Sequence, residues 1–329
     1  MALTSGKQIL EEAKKQGYAV GAYNVNNMEQ IQAVVSAARA TQSPVIIQTS
    51  IGALKYSDCT YLEYLIKAAI AKNQDIPIAV HLDHGNSLDF VVRAIELGFS
   101  SVMIDGSLME DGKTASTYEY NVRITRSVVE YAHARGVSVE GEIGTIGGSE
   151  DSVGSEKISL TDPEEAKKFI DDTGVDFLAI AIGTSHGAYK FKGSINLAFD
   201  VLENIKNIID IPIVLHGASS VPVELVSEIN KHGGKMSSGA TGIPTSSIQK
   251  AIKLGVSKIN VDTDSRLAIT ATVRRILMEH PDKFDPRDYL GPARTALTNL
   301  IITKMQDFKT AGHAKDYVSK SLDDMKKLY

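Results

Sequence analysis

Eight short runs of apolar and β-branched residues recur along the chain, and each is followed by a loop and then by a segment with helical periodicity. Runs such as Ile211–Leu215 are continuously apolar, which is typical of strands covered on both faces in a parallel sheet. The predicted strands are Tyr18–Val25, Pro44–Ser50, Ile76–Gly85, Ser101–Ser107, Val137–Gly144, Phe177–Gly183, Ile211–Gly217 and Val256–Asp264. This repeated β/α unit predicts an α/β fold with a parallel sheet.

Capping residues mark where several helices begin. Thr161–Glu165 places a capping residue, a proline and two acids at a helix start, where unpaired N–H groups and the positive end of the dipole favour them. Ser219–Pro222 leads in the same way into a predicted helix at Val223–His232. The chain begins with a charged amphipathic segment, Met1–Gly17, which we also predict to be helical.

Two architectures share the β/α rhythm, a closed (β/α)8 TIM barrel and an open doubly wound sheet. A barrel gathers all eight carboxyl strand ends around one mouth, whereas an open sheet spreads them along an edge. Polar residues lie at or just beyond these ends, at Asn24, Ser50, Asp83, His84, Asp105, Glu142, His186, His216, Asn260 and Asp262. Their convergence favours the TIM barrel. Because no linker interrupts the pattern, we predict a single domain, 1–329, with Asp285–Tyr329 as a C-terminal helical extension.

Composition narrows the class of protein. Hydrophobic residues make up 43% of the 329 residues, which argues against disorder, and the net charge of −5 with scattered basic residues gives no basic surface for nucleic acid. The single cysteine, Cys59, cannot form an internal disulfide, and no apolar stretch reaches the roughly 18 residues of a membrane span. We therefore expect a cytoplasmic enzyme that binds neither nucleic acid nor membrane.

Three histidines occupy equivalent places after β-rich runs, in Leu82–Gly85, Ser185–Gly187 and Leu215–Gly217. A catalytic zinc ion takes about three protein ligands and keeps one position open for substrate. A lone histidine at a strand end is commonly a hydrogen-bonded structural residue, but three at equivalent positions favour a metal site assembled by the fold.

Carboxylates stand close to these histidines in the sequence. Asp83 adjoins His84, so it is placed to exchange a proton with a bound substrate. Glu140 and Glu142 share one face of a predicted strand, and one of them is expected to contact the metal or its ligands. The glycine-rich and acidic loop Thr145–Gly154 lacks apolar periodicity and suits a segment that closes over a site.

Glycine-rich segments beside two of the histidines suit phosphate binding. Gly183–Lys190 and His216–Ser220 offer unhindered backbone N–H groups and hydroxyls, the latter just before a helix. Neither segment matches a Walker A or a dinucleotide-binding sequence.

These motifs together resemble the class II, zinc-dependent fructose-1,6-bisphosphate aldolases of the shorter bacterial and protist type. The resemblance covers nearly the whole chain, and its motifs are Gly21–Asn27, His81–Gly85, Ser101–Ser107, Glu140–Gly144, Gly183–Gly187, Leu215–Ser220 and Lys258–Asp264. It implies reversible cleavage of fructose 1,6-bisphosphate to dihydroxyacetone phosphate and glyceraldehyde 3-phosphate through a zinc-stabilised enediolate.

The resemblance also implies roles for individual residues. It implies zinc on His84, His186 and His216, with the carboxylate of Glu142 able to approach the metal. Asp83 matches the acid–base group at the C4 oxygen. Glu150 matches the loop acid that exchanges the proton at C3 of dihydroxyacetone phosphate, with neighbouring Asp151 as the alternative. The role of Asp105, and of the segment 108–120, stays open.

Substrate and partner contacts follow from the same resemblance. The matching substrate-binding residues are Asn24, Ser50, Gly187, Lys190, Gly217, Ser219, Asn260, Asp262, Thr263 and Arg266. Arg266 matches an arginine that reaches the second phosphate from a neighbouring subunit, which implies a homodimer or homotetramer. A Na⁺ or K⁺ ion held by backbone carbonyls near the phosphate is implied as well.

Three other functions fit parts of the sequence. Tagatose-1,6-bisphosphate aldolase would share the zinc site, although the resemblance associates Asp262 with the fructose substrate. A class I aldolase would need a Schiff-base lysine, for which Lys190 is the candidate, but the three histidines would then have no purpose. A non-catalytic sugar-phosphate binding protein would not require Asp83 beside a metal ligand.

Overall fold

A closed parallel barrel organises the computed structural model, which describes residues 3–148, 159–187, 197–237 and 240–329. The strands in chain order are β1 (Val20–Asn24), β2 (Val45–Ser50), β3 (Ile78–Gly85), β4 (Ser101–Ile104), β5 (Ser138–Ile143), β6 (Gly147–Gly148), β7 (Phe177–Ile180), β8 (Ser185–His186), β9 (Ile213–Leu215) and β10 (Val256–Val261). Within the described ranges, eight of them close in the order β1-β10-β9-β7-β5-β4-β3-β2. Because β1 pairs with both β2 and β10, the predicted TIM barrel is confirmed over the open sheet.

Helices surround the barrel. Their bounds are α1 (Gly6–Gln16), α2 (Met28–Thr41), α3 (Ile51–Ser57), α4 (Cys59–Lys72), α5 (Leu88–Glu96), α6 (Tyr118–His133), α7 (Pro163–Thr173), α8 (Phe199–Ile208), α9 (Val223–Lys231), α10 (Thr245–Lys253), α11 (Thr263–Glu279), α12 (Pro286–Asp307) and α13 (Leu322–Lys326). The predicted start of α7 is correct, since the side chain of Asp162 accepts the N–H of Glu165 at 2.9 Å. None of the described helices is long and apolar enough to cross a membrane.

Several predicted boundaries were too long. The strand predicted at Val256–Asp264 ends at Val261, because α11 begins at Thr263. The strand predicted at Ser101–Ser107 ends at Ile104, and the carboxylate of Asp105 accepts the N–H of Ser107 to turn the chain. The first helix begins at Gly6 after the capping Ser5, since Thr4 instead donates its N–H to Ile78.

Residues beyond α11 add further helical structure. Helix α12 packs against α2 and α11, and a short 3-10 helix, His313–Asp316, precedes α13. The terminal Tyr329 ring stacks on His133 with 3.7 Å between ring centroids. The division into one domain with a C-terminal extension stays a prediction.

The barrel interior changes character along its axis. Inward side chains near the amino ends of the strands are apolar, and α1 packs under them through Ile9, Leu10 and Ala13. The apolar inward residues are Val20, Ala22, Ile46, Ala79, Phe177, Ala179 and Val214. Two residues further along the strands, buried polar side chains take their place, including Gln48, His81 and His216. The site therefore lies at the carboxyl mouth, where barrel enzymes place their chemistry.

Candidate metal centre and active site

Three histidines meet at the carboxyl mouth of the barrel. His84 lies in β3, His186 in β8, and His216 directly follows β9. All three side chains are buried, and each contributes a ring nitrogen to a group whose atoms lie within 4.8 Å of one another. His84 adopts a positive φ of 47°, a costly conformation for a residue other than glycine. The fold thus brings together the three histidines that the sequence indicated.

Two carboxylates fix how these imidazoles face. The Nδ1–H of His84 donates to Asp105 at 3.1 Å, and the Nε2–H of His216 donates to Glu140 at 2.7 Å. Nε2 of His84 and Nδ1 of His216 then point at each other across 3.0 Å. Two facing lone pairs repel unless a proton or a cation lies between them, so this donor set fits a metal ion.

The electrostatics of the cluster also favour a cation. Burial alone would lower the pKa of His84, but the carboxylates of Asp83, Asp105 and Glu142 raise it to about 10. Burial, together with the charge of Asp105, raises the pKa of Glu142 well above its usual range. Glu142 also groups with His84 and Asp105 as a second possible ligand set. The negative field that holds a proton on His84 would equally hold a divalent cation.

Asp83, on β3, is held by two amides from β1 and β10. Asn24 donates to one carboxylate oxygen at 2.9 Å, and Asn260 donates to the other at 3.1 Å. Gln48 and Lys258 fix the amides in turn, because Gln48 donates to the oxygen of Asn24 and Lys258 to that of Asn260. Burial would raise the pKa of Asp83, but nearby histidines, Lys258 and the Asn24 hydrogen bond lower it to about 2. Asp83 is therefore an oriented, ionised carboxylate, which can act as a base.

A charged network inside the barrel links the metal-ligand candidates to this base. The ammonium group of Lys258 lies 2.8 Å from Glu140, whose carboxylate also contacts His81 at 3.3 Å. In the sequence analysis, Lys258 and His81 appear only as the first residues of two motifs and are given no role, although a signal was present. A strand covered on both faces should be apolar throughout, yet Lys258, Asn260 and Asp262 alternate with Ile259 and Val261. Such alternation indicates a polar barrel interior.

The loops after β9 and β10 form the side of the mouth expected to hold phosphate. Gly217 has φ of 59°, and a Cβ there would lie 2.6 Å from the backbone oxygen of Ser185, so glycine allows this loop to pack on β8. Ser219 accepts the backbone N–H of Asp262 at 3.4 Å, and Thr263 is buried at the start of α11. Loops after the last two barrel strands commonly bind phosphate.

One pocket collects most of the residues predicted for the site. It is lined by Asn24, Ser50, Ile51, Gly52, Asp83, His84, His186, Gly217, Ser219, Asn260 and Asp262. Glu142 and His216 are buried beside it. Gly187 follows His186 with φ of 84°. Glu150, its alternative Asp151 and Lys190 lie outside the described residues, so their predicted roles stay predictions.

Arg266 lies at the mouth of its own barrel. Its guanidinium donates two hydrogen bonds to the carboxylate of Asp262, at 2.7 and 2.6 Å, and the arginine side chain is 40% exposed. Its expected reach into a neighbouring subunit and its role at the second phosphate stay predictions.

This geometry suits proton transfer beside a cation. A buried carboxylate base, a three-histidine site and a glycine-rich loop with hydroxyl groups share one pocket, so a phosphorylated substrate on the metal would present its hydroxyl groups to Asp83.

Comparisons with known proteins agree with this arrangement. The sequence model of the family described as fructose-bisphosphate aldolase class-II matches residues 4–313. The fructose-bisphosphate aldolase of Giardia intestinalis is 55% identical over 331 residues, covering 100% of both chains. That of Pseudomonas aeruginosa is 48% identical, covering 100% of this chain and 97% of the relative.

Two solved structures of similar fold are also named as aldolases. The YdjI aldolase of Escherichia coli K12 superposes with a TM-score of 0.76 at 27% identity, covering 95% of this chain and 99% of that one. A protein from Coccidioides immitis, named a putative fructose-1,6-bisphosphate aldolase, gives a TM-score of 0.75 at 27% identity, with the same coverage. A full-length sequence match and a shared barrel thus coincide with the site geometry, and the chain belongs to the class II fructose-bisphosphate aldolase family.

Proposed function

We propose that this protein catalyses the reversible aldol cleavage of fructose 1,6-bisphosphate to dihydroxyacetone phosphate and glyceraldehyde 3-phosphate, with zinc as its metal. The observation that carries this proposal is the placement of Asp83 in the same pocket as the His84 and His186 side chains and the glycine-rich loop at Gly217. Family membership supports a metal-dependent reaction on a sugar phosphate.

His84, His186 and His216 would hold the metal, and Glu142 is close enough to His84 to join them. When bound, zinc would polarise the C2 carbonyl and stabilise the negative charge that develops as the C3–C4 bond breaks. Nitrogen ligands at three positions are typical of catalytic zinc.

The residues of the chain account for the remaining steps. Asp83 accepts the proton of the C4 hydroxyl while C4 becomes the aldehyde carbon, and the C3–C4 electron pair stays on the dihydroxyacetone phosphate fragment. Glu150 then delivers a proton to C3. The two amides on Asp83 hold its carboxylate in a fixed orientation, so little reorganisation is needed at the moment of reaction.

Six of the proposed substrate contacts line the pocket, namely Asn24, Ser50, Gly217, Ser219, Asn260 and Asp262. Gly187, Lys190, Gly217, Ser219, Asn260 and Thr263 receive the phosphate of dihydroxyacetone phosphate, with a Na⁺ or K⁺ ion nearby. Asn24, Ser50, Asp262 and Arg266 contact the rest of the chain of the sugar. We also propose a cytoplasmic homodimer or homotetramer that acts in glycolysis and gluconeogenesis.

Tagatose 1,6-bisphosphate is the second candidate substrate, since it differs from the fructose compound only at C4. The resemblance associates Asp262 with the fructose compound, and Asp262 lines the same pocket as Asp83, which supports fructose 1,6-bisphosphate as the first candidate.

Cleavage of the two epimeric bisphosphates, each with and without a chelator, tests the proposal. We expect the fructose compound to be cleaved preferentially, chelation to abolish cleavage and zinc to restore it. Preferential cleavage of the tagatose compound would reverse the substrate assignment. Inactivation by borohydride in the presence of substrate would instead indicate a Schiff-base mechanism and remove the metal from the reaction.

A further inference from the structure

The loop that follows His216 is held by a buried ion pair outside the catalytic network. Asp264, at the start of α11, accepts the backbone N–H groups of Ser220 at 2.9 Å and Val221 at 2.7 Å. The ammonium group of Lys304 lies 2.7 Å from Asp264 and donates to the hydroxyl of Ser220 at 2.6 Å. One carboxylate and one ammonium thus hold two successive residues of the loop.

Lys304 comes from a distant part of the chain. It lies near the end of α12, 40 residues beyond Asp264 in sequence, and both side chains are almost fully buried, at 8% and 0% exposure. A buried lysine costs desolvation and side-chain entropy, and replacement of such pairs by apolar residues is often neutral or stabilising. Stability alone therefore does not account for placing this ion pair beneath a binding loop.

The loop needs such a restraint because its backbone is strained. Val221 has φ of 47°, a left-handed conformation that a β-branched residue rarely adopts. Its side chain is nevertheless buried against Leu267 and other apolar residues. On the other side, Gly242 leaves room for the loop, since a Cβ there would lie 2.3 Å from the backbone oxygen of Ser219. Contacts from two sides thus hold the conformation in which Ser219 lines the pocket.

We propose that Lys304 and Asp264 are positioning residues that hold the Gly217–Val221 loop in its phosphate-binding conformation, so that α12 sets the affinity for the phosphate of the substrate. This inference rests on the proposed function for the identity of the substrate. It assigns to Lys304 a role in binding and none in bond cleavage, because its ammonium group is occupied by Asp264 and Ser220.

Substitution of either partner tests this inference. For Lys304→Met and Asp264→Asn in the zinc-loaded protein, we expect KM for fructose 1,6-bisphosphate to rise about tenfold. We expect the inhibition constant of inorganic phosphate to rise by the same factor, while kcat changes less than about twofold. Metal content should be unchanged. The matched control is Arg294→Met, which removes a cation of α12 that bonds Gln32 and should leave both constants unchanged.

Three results would overturn the inference. Unchanged KM and phosphate inhibition in a folded but less stable variant would make the ion pair purely structural. A fall in kcat together with zinc content would mean that the pair holds the metal site. An equal rise of KM in Arg294→Met would mean that any loosening of α12 suffices. If Lys304→Met does not fold, Asp264→Asn decides, and if the wild type cleaves neither bisphosphate, calorimetric binding of inorganic phosphate still tests the loop.

Discussion

The two halves of the barrel interior are both fully packed, one by apolar side chains and the other by polar and charged ones. Near the amino ends of the strands, Val20, Ile46, Ala79 and Phe177 fill the interior with apolar volume that α1 covers from below. Further along the same strands, the interior is filled by charged and polar side chains, each bonded to another. Apolar burial stabilises without directional requirements, whereas buried charges are tolerated only with partners.

The comparison indicates a division of labour along the barrel axis. The apolar half contributes stability, and the polar half holds reactive groups in one geometry at some cost in stability. Substitutions in the two halves should therefore have different effects on activity and on stability. A change in the polar half should impair the reaction in protein that remains folded, and a change in the apolar half should lower stability without altering the folded enzyme.

The largest effect is expected for Asp83→Ala. Loss of the base should lower the rate of bisphosphate cleavage by about 10²–10⁴-fold, the usual contribution of a general acid–base group. Proton exchange at C3 of dihydroxyacetone phosphate should persist, because Glu150 is proposed to serve that step. The exchange rate is measured as the loss of tritium from labelled dihydroxyacetone phosphate. Glu150→Ala is the matched variant and should impair exchange, whereas equal loss of exchange in both variants would contradict separate roles.

Lys258→Met should lower the free energy of unfolding by about 3–5 kcal/mol, because Glu140 is left buried without its cation. Ile46→Ala, in the apolar half, should cost about 2–5 kcal/mol through the cavity it leaves. The two variants then separate the halves. At a temperature where both are folded, Ile46→Ala should retain kcat, while Lys258→Met should lose cleavage because Asn260 no longer has a fixed amide. Denaturant unfolding and steady-state kinetics measure both quantities, and normal kcat in Lys258→Met would break the comparison.

The sequence predicted some functional residues of the polar half and missed others. The histidines and Asp83 lie next to turns and glycines at strand ends, where an isolated polar residue is conspicuous. Lys258 and His81 sit inside strands, and their partners come from strands distant in sequence, so only the closed barrel shows that Lys258 faces Glu140. The fold itself was predictable because each β/α unit is local. Strand ends were less predictable, since single side-chain contacts, such as that of the Asp105 carboxylate with the N–H of Ser107, decide where the chain turns.

Metal affinity should depend on pH through the polar half. The pKa of His84 is raised to about 10 in the metal-free protein, so below that pH a metal must displace its proton. The apparent zinc affinity should rise about tenfold per pH unit between pH 7 and 9, and more steeply if Glu142, whose pKa is also raised, releases a proton as a ligand. Protonation of His84 also stabilises the metal-free protein against unfolding. This stabilisation is fully present below about pH 6.5 and is lost as the pH rises through about 10. Calorimetry in buffers of different ionisation enthalpy counts the protons, and a pH-independent affinity would mean that His84 carries no displaceable proton in the metal-free protein.

The smallest effect is expected at the rim, where Arg266 pairs with Asp262 in its own chain. Arg266→Lys keeps the charge but loses the two parallel N–H donors, so KM for the bisphosphate should rise about tenfold. Proton exchange on dihydroxyacetone phosphate, which lacks the second phosphate, should change little. Because the resemblance implies that Arg266 reaches a neighbouring subunit, mixed oligomers of Arg266→Ala and Asp83→Ala chains should recover some activity, since one hybrid site would contain both residues. No recovery in demonstrably mixed oligomers would mean instead that Arg266 acts within its own subunit.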